Sequence, residues 1–386
     1  MKKIQSYKLS PAAGKKFLTY EGRNISDTMD LNEVKLVEEV LQKKNQLLSK
    51  NESSILEHQD GLLIHGDCIS ACAFLKSKNI KVDLIYVDPP FASGTNYAKK
   101  ILLRNGTKKG IKISDNTIGN EVLYGDSWKK EDYLNWFAHR LLAFKEVMSE
   151  HASIFVHIDW HIGHYVKILL DEIFGENNFR NEIIWFYPSG AEPNEQFNRK
   201  HDTIFWYSKS NSKWTFNYDE VVIPYTKEQE TRFDQWDEEK KKWFYWNVNP
   251  RGERVKTFKK AGLSEYDVWN IGINATEIRD LGYHTAKPQK LLEKIIKAGS
   301  NKNMVVADFF SGSGVAAKVA HDLGRKFIAC DIGTNAMQTS RDRLVKAGAS
   351  FSIYKIVTEQ SIGKTIQLSG NKTVKKSVVV QSNDEV

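Results

Sequence analysis

NMVVADFFSGSGVAAKVAHDLGRKFIACD, residues 303–331, is the stretch that decides the fold class of this chain. A short apolar run leads into a Gly-rich turn, a helix-like segment follows, and a second apolar run ends at Asp331. This succession predicts a strand, a helix and a second, parallel strand, as in doubly wound α/β sheets. In the turn, Gly312 permits a tight bend and Gly314 allows a ligand to approach the backbone.

The same turn predicts a nucleotide-like ligand. Gly312, Gly314 and Ala317 fit the G-x-G-x-x-A pattern, and Asp331 follows at the end of the next strand. A carboxylate in that position can accept the hydroxyl hydrogens of a ribose. By itself the pattern serves a nicotinamide dinucleotide or S-adenosylmethionine equally well, and a purely structural turn is the remaining alternative.

The α/β rhythm occupies two separate parts of the chain. Strand-like and helix-like segments alternate from residue 61 to 187 and again from 284 to 357. Residues 188–283 are charged and aromatic without a clear period, and apolar residues at helical spacing within 30–50 predict a peripheral helix. The predicted parts are an N-terminal helical extension (1–55), two halves of one α/β domain (56–187 and 284–357), an inserted module (188–283) and a C-terminal tail (358–386).

A second motif, Asp88-Pro89-Pro90-Phe91, directly follows an apolar, strand-like run. Ligands of open parallel sheets bind beyond the carboxyl ends of the strands. Two prolines fix φ and remove both backbone donors, which leaves the Asp88 carboxylate and the Pro89 carbonyl as rigid acceptors. Such a pair suits a substrate amino group with two N–H bonds, and Phe91 offers a flat face to a planar base. A sharp turn without chemistry is the alternative.

These acceptors predict a type of reaction. The lone pair of an exocyclic amino nitrogen on adenine or cytosine is delocalised into the ring. Acceptors that hold its hydrogens out of the ring plane would direct that lone pair toward an electrophilic methyl group, mainly by positioning and charge stabilisation. An enzyme that attacks cytosine C6 with a thiolate is expected to carry a cysteine directly after a proline. No cysteine of this chain follows a proline, so no covalent intermediate is predicted.

The amino-acid composition of the chain narrows its possible binding partners and its cellular compartment. The formal net charge of +8 attracts polyanions such as nucleic acid, although a lysine-rich surface explains it equally well. The three cysteines, Cys68, Cys72 and Cys330, lack zinc-ligand spacing, so we expect no metal and a reducing compartment. The chain has neither a signal-peptide core nor a run of about 18 apolar residues, so we expect a cytoplasmic protein without membrane contact.

Two further clusters are predicted to lie near the site. Residues 188–283 interleave arginine and lysine with tryptophan and tyrosine, a mixture that suits phosphate contact and base stacking and equally suits a small aromatic-cored subdomain. The polar group His157, Asp159, His161 and His164 is expected at the mouth of the site rather than around a metal.

With these two motifs, the chain resembles the β class of DNA amino-methyltransferases, and within it the adenine-specific methylase (Mod) subunits of type III restriction-modification systems. Asp88–Phe91 is similar to their catalytic motif, (Asp/Asn/Ser)-Pro-Pro-(Tyr/Phe/Trp), and Asp308–Gly314 is similar to their F-x-G-x-G cofactor motif. The catalytic motif precedes the cofactor motif, which is the β-class order. The likeness covers roughly residues 60–355, but Phe91 stands where Tyr is commoner and the chain is short for a type III subunit.

The resemblance implies a fold and a site. The fold would be a Rossmann-like, doubly wound, mostly parallel methyltransferase sheet with circularly permuted motif order, and residues 188–283 would form a target-recognition module. The cofactor would be S-adenosyl-L-methionine. The implied catalytic residues are Asp88, Pro89, Pro90 and Phe91, and the implied cofactor-binding residues are Asp67, Cys68, Thr285, Lys287, Asp308, Phe310, Gly312, Gly314 and Asp331.

The implied reaction is methyl transfer to N6 of adenine in double-stranded DNA, with the target base flipped out of the stack. The resemblance also allows a homodimer and a restriction subunit as partners. The open alternatives are cytosine-N4 methylation, a nicotinamide-dependent dehydrogenase, a catalytically inactive DNA-binding relative, and methylation of RNA or a protein amide.

Overall fold

The computed structural model describes residues 5–42, 55–91, 129–188, 194–273 and 286–357, together with the backbone of 97–104 and 113–124. Its helices are α1 (Cys68–Ser77), α2 (Lys130–Val147), α3 (Gly163–Phe174), α4 (Lys227–Glu230), α5 (Gln289–Gly299), α6 (Val315–Asp322) and α7 (Thr334–Lys346). Its strands are β1 (Gln5–Lys8), β2 (Thr28–Leu31), β3 (Glu33–Val40), β4 (Gly61–His65), β5 (Val82–Val87), β6 (Tyr97–Arg104), β7 (Ile113–Tyr124), β8 (Met148–Ile158), β9 (Phe179–Phe186), β10 (His201–Ser208), β11 (Gln235–Asp237), β12 (Lys242–Val248), β13 (Arg254–Phe258), β14 (Val268–Asn270), β15 (Val305–Asp308), β16 (Lys326–Asp331) and β17 (Phe351–Val357).

Ten strands form one sheet in the order β14-β9-β10-β8-β5-β15-β16-β4-β17-β3. The run from β8 through β17 is parallel, and β10 is antiparallel to both of its neighbours. The predicted doubly wound, mostly parallel α/β fold is therefore confirmed. Strands from the two ends of the sequence alternate at its centre, since β15 and β16 lie between β5 and β4.

Helices cover both faces of this sheet because its central strands are apolar on both sides. In β5, Ile85 and Val87 pack into one core with α1, α2 and α3, whereas Leu84 and Tyr86 pack into a second core with α5, α6 and α7. Side chains of a strand alternate between its faces, so a continuous apolar run can fill two layers.

The N-terminal segment differs from its prediction. Within residues 30–50 we expected a helix, but the chain forms strands β2 and β3, and β3 pairs antiparallel with β17 at the edge of the large sheet. Short apolar runs fit a helix and a strand almost equally well, and the open edge of β17 decides between them. Residues 43–54 lie outside the described part of the chain.

The segment 188–283 divides between two sheets. Strands β10 and β14 belong to the large sheet, and β11, β12 and β13 form a separate three-stranded antiparallel sheet. The inserted module that the sequence predicts thus shares strands with the main domain. The predicted C-terminal tail, 358–386, is not among the described residues. No helix in the described ranges has the length and apolar character needed to cross a membrane.

Candidate active site at the carboxyl edge of the sheet

A cavity of about 630 Å³ lies at the edge where the central parallel strands end, within the size range of small-molecule sites. Parallel strands end at one edge, and β4, β5, β15 and β16 therefore bring their terminal motifs together. The predicted residues that line this cavity are Asp67, Cys68, Asp88, Pro89, Pro90, Phe91, Lys287, Asp308, Phe310, Gly312 and Asp331.

Two predicted cofactor residues are missing from this set. Gly314 does not line the cavity; it has a φ of 72°, in the left-handed region, and a Cβ on it would lie 2.6 Å from Oγ of Ser340. Gly314 therefore also has a packing reason, because a side chain there would collide with α7, and its cofactor contact stays a prediction. Thr285 lies outside the described residues.

Asp88 is held by a lysine from a distant part of the chain. Nζ of Lys287 donates to Oδ1 of Asp88 at 2.8 Å and lies 5.0 Å from the centre of the Phe91 ring. Both charged side chains are mostly buried, with 20% and 17% exposure. Nothing in the sequence indicated this ion pair, because 199 residues separate its partners.

Phe91 rests on a buried chain of hydrogen bonds, called the His157 chain below. The imidazole of His157 stacks on Phe91 with ring centres 6.1 Å apart and planes inclined by 29°. Its Nδ1 lies 2.8 Å from the Tyr86 hydroxyl, and its Nε2 lies 3.0 Å from Oδ2 of Asp202. The hydroxyl of Tyr187 donates to the other oxygen of Asp202 at 2.8 Å. The sequence placed His157 at the site mouth, whereas the structure buries it behind the catalytic motif.

The hydrogen bonds and charges around Asp202 favour its ionised form. Burial raises the pKa of Asp202, but the hydrogen bond and charge of His157, the charge of Lys287 and the bond from Tyr187 outweigh it, so the pKa lies below its usual value. Burial and the charge of Asp202 raise the pKa of Tyr187. Burial, followed by the charge of Asp88, raises the pKa of Tyr86, so both phenols keep their hydrogens.

The Gly-rich turn is closed by Asp331. Backbone N–H groups of Gly312 and Gly333 donate to its two carboxylate oxygens, each at 2.8 Å. The carboxylate is thus oriented at the cavity wall where the predicted ribose hydroxyls would lie.

Asp308 is a buried acid of the site with a raised pKa. It is 5% exposed, and Oδ1 accepts a hydrogen bond from the backbone N–H of Phe310 at 3.0 Å. Burial raises its pKa well above the usual value against that bond, and the charges of Asp88 and Asp331 raise it further. A positively charged ligand would lower the cost of ionising Asp308.

One wall comes from α2, a helix in which no functional residue was predicted from the sequence. The guanidinium of Arg140 lies 4.1 Å over the Trp136 ring and donates to Oδ1 of Asp67 at 2.7 Å. The other oxygen of Asp67 accepts from the backbone of Ile69 and caps α1. The Trp136 ring also lies 5.7 Å from that of Phe310. The available sequence signal was the i,i+4 spacing of Trp136 and Arg140, which puts them on one helix face.

The cavity is acidic although the whole chain is basic. Among the described residues, its lining contains two strong cations, Arg140 and Lys287, and both are paired with carboxylates. The carboxylates in the lining are Asp67, Asp88, Asp159, Asp308 and Asp331. This excess of negative charge suits a cationic sulfonium compound and opposes the pyrophosphate of a dinucleotide.

The mouth of the cavity carries a stack of planar groups. His161 lines the cavity, and its Nδ1 lies 2.5 Å from Oδ2 of Asp159. Burial raises the pKa of Asp159 in spite of this bond. Trp160 stacks on His161 at 3.7 Å, and the guanidinium of Arg199 lies 3.8 Å over Trp160. Among the described residues no group of His, Cys, Asp and Glu side chains has the arrangement of a metal site.

None of the three cysteines presents a thiolate to this site. Cys68, Cys72 and Cys330 are free and buried, and burial raises the pKa of each thiol. Chemistry at the cavity therefore rests on carboxylates, backbone groups and aromatic rings.

The comparison with protein families decides the class. A family model described as DNA methylase, the N6/N4 methylase family, matches residues 82–342, more than half of the chain. The chain belongs to this family. The predicted DNA amino-methyltransferase is thereby confirmed, and S-adenosyl-L-methionine is its methyl donor, whereas the nicotinamide alternative loses its basis.

Several curated N6/N4 methylases and other DNA methyltransferases are similar to this chain. Type II methyltransferase M.HpaI of Haemophilus parainfluenzae is 26% identical over 287 residues, covering 74% of each chain. Type II methyltransferase M1.MboII of Moraxella bovis is 36% identical over 167 residues, covering 40% of this chain and 58% of the relative. DNA adenine methyltransferase YhdJ of Escherichia coli K12 is 23% identical over 284 residues, covering 73% of this chain and 82% of the relative.

Similar solved structures include the M1.HpyAVI complex with SAM, at 19% identity and a TM-score of 0.43, which covers 73% of this methylase and 98% of that chain. The cytosine-N4-specific PvuII DNA methyltransferase has 17% identity and a TM-score of 0.45, with 74% and 86% covered. The narrower resemblance to type III methylase subunits stays a prediction.

Proposed function

We propose that this methylase transfers the methyl group of S-adenosylmethionine to N6 of an adenine flipped out of double-stranded DNA. The observation that carries the proposal is the position of the Lys287 ammonium. An N–H donor lies 2.8 Å from the Asp88 carboxylate and 5.0 Å from the Phe91 ring centre. A target amino group needs the same acceptor and the same aromatic platform, so it would displace Lys287 from Asp88.

The catalytic motif would act through fixed acceptors. Asp88 would accept one amino hydrogen and the Pro89 carbonyl the other, which turns the nitrogen lone pair toward the methyl group. Phe91 would hold the base plane, supported from behind by His157. As the nitrogen bonds to carbon it becomes positive, and the Asp88 carboxylate stabilises that charge. The amino group then loses one proton, either to Asp88 or to water.

The lining residues fit the cofactor by charge and shape. When bound, S-adenosylmethionine supplies a methyl group activated by a positive sulfur. Asp331 would bind the ribose hydroxyls, and Asp67 would lie near the adenine beside the Trp136 wall. Asp308 would contribute negative charge opposite the cation. Each of these side chains lines one continuous cavity.

Adenine-N6 is preferred over cytosine-N4 because the family motif has Asp at position 88, where serine is commoner in cytosine-N4 enzymes. A relative of this chain, YhdJ, is named a DNA adenine methyltransferase. A restriction subunit would be the partner if the resemblance to type III systems extends to assembly.

Sequence recognition is assigned to the three-stranded sheet β11–β13. Cations lie over its aromatic rings: Arg254 is 4.8 Å from the centre of Trp246, and Lys256 is 4.6 Å from that of Phe244. Trp236 and Trp243 form an edge-to-face pair and are 43% and 47% exposed. Exposed aromatic rings among basic side chains suit base and phosphate contact.

The test is direct. The methylase is incubated with labelled S-adenosylmethionine and unmethylated genomic DNA, and the DNA is then digested to nucleosides for mass spectrometry. N6-methyladenine is the expected product. N4-methylcytosine would overturn the adenine assignment alone, and absence of label in DNA, with RNA or protein labelled instead, would overturn the proposed substrate.

A further inference from the structure

The loop between β9 and β10 lies at the same edge of the sheet as the cavity. In β10, Thr203 pairs with Ile158 at the carboxyl end of β8, and His201 pairs with Phe186 at the end of β9. Because β8 runs parallel to β5, its end lies beside Asp88, and the loop that joins β9 to β10 begins and ends there. The described parts of this loop are residues 187–188 and 194–200.

One side chain among the described residues of this loop is almost fully exposed to solvent. Phe197 is 99% exposed, the highest value among the exposed large apolar residues of the described chain. Its neighbours in the loop are polar or charged, and all of residues 194–199 are exposed. A fully solvated phenyl ring is unfavourable in the free protein, and it gains free energy when a partner covers it.

The base of the loop is attached to the mouth of the cavity. Arg199 lies 3.8 Å over Trp160, and Trp160 stacks on His161, which lines the cavity. Arg199 also donates to Oε1 of Gln196 at 3.2 Å. Phe197 is two residues from Arg199, and two residues of extended chain span about 7 Å. The ring is therefore held within reach of the entrance while it stays exposed.

We propose that Phe197 enters the DNA duplex and fills the gap that the flipped target base leaves, an inference that rests on the proposed function. Flipping a base costs the stacking on both of its faces. An apolar wedge inserted between base steps replaces part of that stacking, and an aromatic ring replaces it for any base. The charges of Arg199 and Lys200 place positive potential beside the wedge, which favours approach to phosphates.

The wedge has a specific consequence that an ordinary DNA contact lacks. Its loss matters for a target base that is paired and stacked, and it matters little for a base that is already unpaired.

The alternative is that a second copy of this chain covers the exposed phenyl ring. Sedimentation of the wild type and of Phe197→Ala distinguishes such a dimer from the wedge.

The experiment compares Phe197→Ala and Phe197→Trp with Phe17→Ala, a matched control at another exposed phenylalanine, which is 59% exposed. Single-turnover methyl transfer is measured first on unmethylated genomic DNA. The methylated site found there is then built into two short duplexes, one fully paired and one with a mismatch opposite the target base.

We expect Phe197→Ala to slow transfer into paired DNA by about tenfold or more, the loss of one stacking contact. Phe197→Trp and Phe17→Ala should stay near the wild-type rate, and the mismatched duplex should restore Phe197→Ala. Equal rates for wild type and Phe197→Ala on paired DNA would overturn the wedge, as would an equal defect on both duplexes or a dimer that dissociates in the variant. If the wild type labels no DNA, the proposed function fails and the wedge fails with it.

Discussion

Asp88 is the proposed centre of the chemistry, since its carboxylate lies in the cavity and already binds an N–H donor. We predict that Asp88→Ala lowers single-turnover methyl transfer by about a hundredfold or more, the effect of removing one preorganised electrostatic group. The loss belongs to the chemical step, because the carboxylate matters most when positive charge forms on nitrogen.

Two controls for the Asp88 variants are their affinity for the cofactor and the integrity of their fold. Cofactor affinity measured by calorimetry and the circular dichroism spectrum should change little. Asp88→Asn keeps the volume and one acceptor oxygen, so it should retain more activity than Asp88→Ala. Near-normal transfer by Asp88→Ala would show that the motif is only a turn.

We expect Asp331 to contribute strongly to cofactor affinity. Asp331→Ala should raise the dissociation constant of S-adenosylmethionine at least several-fold, since unpaired ribose hydroxyls cost about 1–3 kcal/mol. The substitution also removes the acceptor of the Gly312 and Gly333 N–H groups. Asp331→Asn, which can still accept from one of them, is therefore the matched variant and should give an intermediate constant. An unchanged constant for both would mean that the ribose lies elsewhere.

We expect Asp308 to make the affinity for S-adenosylmethionine depend on pH. Its pKa is raised by burial and by the charges of Asp88 and Asp331, so it binds a proton more readily than an ordinary aspartate. A cationic ligand favours the ionised form. The affinity for S-adenosylmethionine should therefore rise as pH rises through the raised pKa, and binding below that pKa should release a proton.

Calorimetry in buffers of different ionisation enthalpy measures this proton release. S-adenosylhomocysteine is the matched control, because its neutral sulfur should release less. Equal proton release by the two ligands would contradict the role given to Asp308.

At the scale of elements, the His157 chain ties β5, β8 and β10 together behind Phe91. Asp202→Asn should destabilise the fold by about 1–3 kcal/mol near pH 7, because it leaves buried donors without a charged acceptor. Asp202 has a lowered pKa in the fold, so its contribution is present above the unfolded pKa of about 4 and is lost as pH falls through the lower folded value.

Urea unfolding at several pH values measures that contribution. The difference between wild type and Asp202→Asn should be constant from about pH 7 to 5 and should shrink below about pH 4. Asp219→Asn, at an exposed aspartate, should show no such difference. A difference that does not change with pH would mean that Asp202 acts through packing rather than charge.

The edge strand β3 shows how an element can differ from its prediction. Apolar residues at helical spacing in 30–50 predicted a helix, yet residues 33–40 pair with β17 along its whole length. Five of the eight residues of this strand stay exposed, including Leu36 at 50% and Val37 at 59%. Periodicity records which side chains are apolar, but an unpaired neighbouring strand offers backbone hydrogen bonds that the local sequence cannot report.

At the scale of the molecule, the proposed recognition surface and the proposed catalytic residues belong to separate sheets. Exchanging residues 188–283 with those of a relative would remove β10 and β14 from the main sheet. We therefore predict that exchange of residues 209–267 alone, which carry β11–β13, changes the methylated DNA sequence and leaves the affinity for S-adenosylmethionine unchanged. Methylation mapping by sequencing and calorimetry measure the two properties. An unchanged methylated site would place recognition elsewhere, in the N-terminal segment or in residues 96–120.

The sequence by itself determined the class of fold and most of the site. Apolar runs that end in Asp67, Asp88, Asp308 and Asp331 encode buried parallel strands, and the shared direction of those strands brings their ends to one cavity. Glycine and proline act locally, through φ and missing donors, so the turns that carry the motifs could be read from short stretches.

The tertiary structure alone decided which side chains meet across those turns. The pairing of Lys287 with Asp88 and the burial of His157 between Tyr86 and Asp202 join residues from distant segments. Such contacts depend on how the two halves of the chain interleave in one sheet and on the direction each side chain takes when its neighbours pack against it. A pattern along the chain records neither, because both arise only when the strands lie side by side.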